Sequence, residues 1–132
     1  MEENKVLNKD ISILVVDDII SARKVIIKLL NKAGYTKVFD SENISKAVEI
    51  ISKNNIDLVI SDYNIGEDYG YNLVEEVNKL NLGKEIPFIL STCSDKENLD
   101  PKILDYVKST LFKPYSGKEL ESSIERAFST EN

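Results

Sequence analysis

Apolar and polar positions along the chain fall into two alternating kinds of segment. Ile11–Val16 (ISILVV) is a short apolar run that stops at Asp17 and Asp18, the pattern of a buried strand. From Ala22 the period becomes helical: Ala22, Val25, Ile26, Leu29, Leu30 and Ala33 line one face, and Gly34 stands where a left-handed C-cap belongs. A short strand over Lys37–Asp40 precedes a helix marked by Ile44, Ala47, Val48 and Ile51. Asp57–Asp62 (DLVISD) is a third strand, again closing on a carboxylate, and Tyr63–Gly70 reads as a polar loop with two glycines. Leu73, Val74, Val77 and Leu80 mark a third helix. Pro87–Thr92 (PFILST) is a fourth strand, with the proline at its start, where a missing N–H is tolerated. Asp100-Pro101 has the chemistry of an N-cap and first helical position, so a short helix is expected to run to about Val107. Thr110–Phe112 is a fifth strand. Ser116 and Glu119 have capping-box spacing, and they open a last helix with Leu120, Ile124, Ala127 and Phe128 on its apolar face.

Strands that alternate with helices imply a parallel sheet, because each crossover returns the chain to the same end. Apolar strands without strict alternation agree, since helices then cover both faces. In such α/β sheets the C-terminal strand edge carries the site. The most suggestive polar residues fall there: Asp17 and Asp18 after the first strand, Asp62 after the third, Thr92 after the fourth, Lys113 after the fifth. No internal repeat, linker or low-complexity tract interrupts the pattern, so one domain is expected over residues 11–128, with an N-terminal extension, 1–10, and a C-terminal tail, 129–132.

Composition narrows the chemistry. The 132 residues are 42% apolar and 30% charged, as in ordinary globular domains. A net charge of −6 with no clustered Lys or Arg argues against direct nucleic-acid binding. The chain has no histidine, which excludes Ser-His-Asp hydrolysis, Cys-His chemistry, His-rich zinc sites and a phosphohistidine of its own. Its single cysteine, Cys93, cannot form an internal disulfide and fits a reducing compartment. The polar start MEENKVLNKD is no signal peptide, and no apolar stretch is long enough to span a bilayer, so no membrane partner and a cytoplasmic location are expected.

Three carboxylates at one sheet edge repel one another unless a cation compensates. A hard divalent ion with oxygen ligands answers that need, and Mg²⁺ is the usual one where phosphate is handled. Lys113 adds a second positive charge and Thr92 a hydroxyl donor. These are parts for phosphoryl transfer: a carboxylate nucleophile, a metal, and donors for the equatorial oxygens. Spacing alone gives a phosphate and metal site without choosing the nucleophile. Taken singly, Asp17-Asp18 also reads as an acidic pair at a helix N-terminus, Thr92 as a strand-end cap, and Cys93 as a small packed residue. Glu67 and Asp68 read as solvated loop charges, and Tyr63, Tyr69, Tyr71 and Tyr115 as shapers of the rim.

The set Asp17-Asp18 after ILVV, Asp62 in LVISDYN, Thr92 in PFILST and Lys113-Pro114 in LFKPY resembles the response-regulator receiver family over about Ile11–Phe128. The resemblance implies a flavodoxin-like (βα)5 doubly wound, five-stranded parallel sheet of order 2-1-3-4-5, an order the flavodoxin-like class shares with a chemotaxis receiver. It implies that Asp62 accepts a phosphoryl group from a sensor histidine kinase or phosphotransfer protein. It further implies that Asp17, Asp18, Asp62 and the Asn64 carbonyl hold Mg²⁺, that Thr92 and Lys113 bind phosphoryl oxygens, and that the Lys113–Pro114 bond is cis.

Three positions depart from that pattern. Gly66 stands where a proline is frequent, which points to a looser loop; Cys93 replaces a small Ala or Gly; Thr110 replaces an aromatic switch residue. With nothing after Phe128 to fold into an output domain, output is expected through a downstream protein or through a longer chain. The expected role is therefore a phosphoacceptor signalling domain, no enzyme beyond its own Mg²⁺-dependent phosphorylation and dephosphorylation. The alternative is a receiver-fold protein-binding module that is weakly phosphorylated or not at all. A small aspartyl phosphatase lacks a cap domain here, and an FMN-binding flavodoxin lacks its Ser/Thr/Gly-rich phosphate loop.

Overall fold

The computed structural model describes residues 8–129; residues 1–7 of the expected extension and 130–132 of the expected tail lie outside the described part. Its main sheet is built from β1 (Ile13–Val16), β2 (Val38–Ser41), β3 (Leu58–Asp62), β6 (Phe88–Thr92) and β7 (Ser109–Phe112), all parallel. Their spatial order, β2-β1-β3-β6-β7, is the expected 2-1-3-4-5 once strands of this sheet alone are counted. The helices are α1 (Ile20–Lys32), α2 (Ile44–Lys53), α3 (Gly70–Asn78), α4 (Pro101–Tyr106) and α5 (Gly117–Ala127).

Side-chain alternation divides the core into two layers. Leu14, Val16, Val59, Phe88 and Leu90 face α2, α3 and α4, meeting Ala47, Ile51, Leu73, Val77 and Ile103. Ile13, Val15, Leu58, Ile60, Ile89 and Leu111 face α1 and α5, meeting Ile26, Leu30, Leu120 and Ile124. Both faces of β1, β3 and β6 are therefore buried, which is why those strands read as unbroken apolar runs. The edge strands β2 and β7 are only partly buried and carry polar residues, so their sequence signal was weaker.

Local signals mostly match. Gly34 has φ +103 just past α1, and the following Tyr35 N–H bonds back to the Leu30 carbonyl, closing the helix. Asp100 caps α4 by accepting from Lys102 N at 3.0 Å, with Pro101 in the first turn. The Ser116–Glu119 capping box is formed in both directions, at 2.8 and 3.1 Å. The Lys113–Pro114 bond is cis.

Two expectations need correction. Val25 is 59% exposed, because α1 turns Ile26 and Leu30 inward and Ile27 takes the flanking position that the spacing gives to Val25. Tyr63–Gly70 is not an irregular loop. Within it β4 (Asn64–Ile65) and β5 (Asp68–Tyr69) pair antiparallel, and Gly66 occupies the first turn position with φ +63, as a two-residue hairpin turn with glycine first requires. The buried Ile65 pins this hairpin to the core. A 3₁₀ turn, Lys96–Asn98, also precedes α4 where no regular element was expected.

Candidate functional site

Parallel strands in register finish at one edge. Val16 of β1 pairs with Ser61 of β3, Asp62 with Ser91 of β6, and Thr92 with Phe112 of β7. The residues that follow or end these strands are thereby gathered. Oxygens of Asp17, Asp18 and Asp62 all lie within 4.8 Å of one another. Lys113 Nζ stands 3.1 Å from Asp17 Oδ2 and 3.6 Å from Asp62 Oδ2. Two of the three carboxylates contact this one lysine, which leaves negative charge in the cluster for a cation to offset.

Each acid is held differently. Asp17 is buried, and its Oδ1 accepts from the Ile19 N–H at 2.9 Å, so it does also serve the entry to α1. Its carbonyl accepts from Arg23 Nη1 at 2.8 Å, while Arg23 Nε donates to Asp40 Oδ2 at 2.7 Å. Arg23 thus ties the end of β1 to β2 and was missed in the sequence; its signal was an arginine one turn into the helix that follows the acidic pair. Asp18 is exposed and offers its oxygens on the open side. Asp62 Oδ1 accepts from the Tyr63 N–H at 2.7 Å, which leaves Oδ2 facing Lys113.

Gly70 is a second residue the sequence reading passed over. A Cβ there would lie 2.9 Å from the Asp62 carbonyl oxygen, so only glycine lets α3 begin this close to the site. Thr92 is buried beside Asp62, with its Oγ1 accepting from Ser94 N at 3.0 Å and its hydroxyl proton still free to be donated. Asn64 opens β4 two residues past Asp62, and its N–H favours the ionised form of the Asp62 carboxyl. Cys93, expected as a small packed residue, is instead exposed at the rim. Glu67 and Asp68 are exposed, as expected of solvated charges.

Burial pushes the Asp62 carboxyl above the usual range; Lys113 opposes that shift, Asp17 adds to it, and the Tyr63 and Asn64 N–H groups pull it back. Burial alone would lower Lys113, but the charges of Asp62 and Asp17 outweigh it and hold the ammonium above its ordinary value. A protonated lysine and electron-rich carboxylates are therefore held together in a half-buried pocket where charge interactions are stronger than in water.

The tyrosines pair with one another or with the strands. Tyr63 and Tyr69 meet as tilted rings at 5.6 Å, Tyr71 and Tyr106 at 5.5 Å, and Tyr115 bonds Ser91 at 3.0 Å. The donor set, all oxygen and mostly anionic, suits a hard divalent cation such as Mg²⁺, whose short bonds of about 2.1 Å and retained waters fit so close a cluster. Among the described residues, no helix is long and apolar enough to cross a membrane.

Comparison with known proteins agrees with this geometry. The family model for the response regulator receiver domain matches residues 13–125. The chemotaxis protein CheY1 of Helicobacter pylori is 31% identical over 120 residues, covering 89% of this chain and 97% of that protein. A receiver domain from Methylobacillus flagellatus superposes with a TM-score of 0.80 at 22% identity, over 88% of this chain and 97% of that one. The receiver domain of a Pseudomonas aeruginosa sensor histidine kinase, solved with a magnesium ion coordinated in its active-site cleft, gives a TM-score of 0.78 at 24% identity, over 89% and 97%. Receiver domains are signalling modules of two-component systems and bind Mg²⁺ in an acidic pocket of this kind. On the family match, the relatives and the shared fold together, the chain belongs to the response-regulator receiver family.

Proposed function

We propose that this chain is a phosphoryl-accepting switch in which Asp62 takes a phosphoryl group from a phosphohistidine on a sensor kinase or phosphotransfer protein, changing its affinity for a downstream protein. The observation that carries the reading is the meeting of Asp62 Oδ2 with Lys113 Nζ beside two further carboxylates. Oδ2 supplies the electron pair, the phosphorus–nitrogen bond breaks, and the imidazole leaves with that bond's electrons and takes up a proton. Asp17, Asp18, Asp62 and the Asn64 carbonyl would hold Mg²⁺, which neutralises charge on the phosphoryl oxygens when bound. The Thr92 hydroxyl and Lys113 Nζ then donate to those oxygens, whose charge of roughly −1.5 to −2 gathers donors around it. The working unit is residues 11–128, and the lone cysteine and acidic surface suit the cytoplasm, where such kinases present their phosphohistidine.

Asp62→Asn keeps the shape and removes the nucleophile, so labelling by a small phosphodonor with Mg²⁺ should vanish; persistence at full stoichiometry would sink the proposal. Asp18→Ala should weaken Mg²⁺ binding at least tenfold with the fold intact, as read by titration. Unchanged affinity would remove Asp18 from the metal site. A second reading, a binding module with little or no phosphorylation, is favoured only by Cys93 at the rim and Thr110 in place of an aromatic residue. Labelling of the wild-type chain decides between them.

A further inference from the structure

Tyr63 touches both the site and a distant helix. Its main-chain N–H donates to Asp62 Oδ1 at 2.7 Å, and its phenolic oxygen accepts from the Asp100 N–H at 3.0 Å, 37 positions along the chain. Asp100 is the N-cap of α4. Tyr63 cannot swing freely between these ends: its ring packs at a tilt against Tyr69, and its main-chain carbonyl accepts from Gly70 N at 2.8 Å.

The helix at the far end is lightly held. It has six residues, too few for a helix to persist on its own propensity. Ile103 is its only buried side chain, its C-terminal end leans on the Tyr71–Tyr106 stack, and its N-terminal end is tied by the Tyr63 phenol. Elements with so few buried contacts lie at the low-stability end of a fold and respond to small changes.

We infer that Tyr63 is a positioning residue through which the state of Asp62 reaches the N-terminus of α4. The inference rests on Asp62 as phosphoacceptor, with Oδ2 as the attacking atom because Oδ1 is engaged by Tyr63. When Oδ2 becomes the ester oxygen of the acyl phosphate, Oδ1 turns from one half of a carboxylate into a neutral carbonyl oxygen. Its bond to the Tyr63 N–H loses charge assistance, roughly half its strength. The Tyr63 main chain relaxes, the phenol withdraws from the Asp100 N–H, and the first turn of α4 loosens. This route needs no aromatic side chain at position 110.

The experiment is amide hydrogen exchange over residues 99–107 in the full chain, before and after phosphorylation by acetyl phosphate with Mg²⁺. Wild type is compared with Tyr63→Phe, which keeps the ring and the main-chain N–H and removes only the phenolic oxygen. Intact mass measures phosphoryl occupancy, and exchange is compared at equal occupancy. Phosphorylation should speed exchange at Asp100, Lys102 and Ile103 several-fold in wild type. In Tyr63→Phe exchange should already be fast, and the phosphorylation-dependent change should fall to less than half. A phenol that merely braces α4 would raise the basal rate and leave the phosphorylation-dependent change as large as in wild type; that result overturns the inference while the phosphoacceptor reading stands. No phosphoryl adduct on wild type overturns both.

Discussion

The two halves of the sheet edge are built to different standards. On the β1–β3 side, two of the three acids have fixed partners: Asp17 is held by Ile19 N, Arg23 and Lys113, and Asp62 by Tyr63 N and Lys113. On the β6–β7 side, α4 is six residues long and Thr110 borders an open groove of about 280 Å³ with Leu104, Val107 and Phe112. The Phe112 side chain is left 42% exposed. The acids of the first half are pinned by short contacts, whereas α4 and the groove beside Thr110 are small and lightly packed. The difference between the halves can be tested by disturbing each.

The largest effect is expected where the acids of the β1–β3 side are held. Lys113→Ala leaves Asp17, 1% exposed, without its cation. Removing one partner of a buried pair costs several kcal/mol; Lys113 is partly in water, so about 2 to 3 kcal/mol is expected in chemical denaturation. Lys113 therefore matters to the fold as well as to phosphate binding. Gly70→Ala comes next, at roughly 1 to 2 kcal/mol, because the new methyl meets a main-chain oxygen that has no rotamer to escape into. A stability loss under about 0.5 kcal/mol in both variants would mean that this half is no more tightly specified than the other.

A smaller, pH-dependent effect follows from Asp62. Burial raises its folded-state pKa, so the folded chain binds this proton more tightly than the unfolded chain does. Stability contributed by the group is then lost as pH rises through the interval above the ordinary carboxylate value. In metal-free solution Asp62→Asn should unfold at a higher temperature than wild type near neutral pH, and the gap should close as pH falls below that value. A gap that widens in acid would show the carboxylate to be stabilised as an anion instead.

The smallest effect belongs to the loose side. Thr110→Tyr fills open space at the groove and should change stability by no more than about 0.5 kcal/mol. It should redirect the response: in wild type, phosphorylation is expected to alter amide exchange over Cys93–Val107 more than over Thr110–Tyr115, and the added ring should raise the share of the second segment. A wild-type response already larger at Thr110–Tyr115 would erase the distinction between the halves.

Legibility in the sequence followed the same division. β1, β3 and β6 were readable because burial on both faces leaves long apolar runs ending on polar residues, which placed Asp17, Asp62 and Thr92 at one edge before any coordinates. The caps of α4 and α5 were readable because their hydrogen bonds are local. Arg23, Gly70 and the Tyr63–Asp100 bond were not, since each depends on contacts between segments brought together only by folding. The β4–β5 hairpin was hidden for a related reason: two-residue strands give no periodicity, and Ile65 alone anchors the pair.

The most direct test is the mass of the wild-type chain and its peptides after incubation with a small phosphodonor, with Mg²⁺ and with a chelator. The account predicts one phosphoryl group per chain, on the peptide that carries Asp62, and none when the metal is withheld. An unmodified chain, an adduct on another residue, or labelling indifferent to chelation would contradict it.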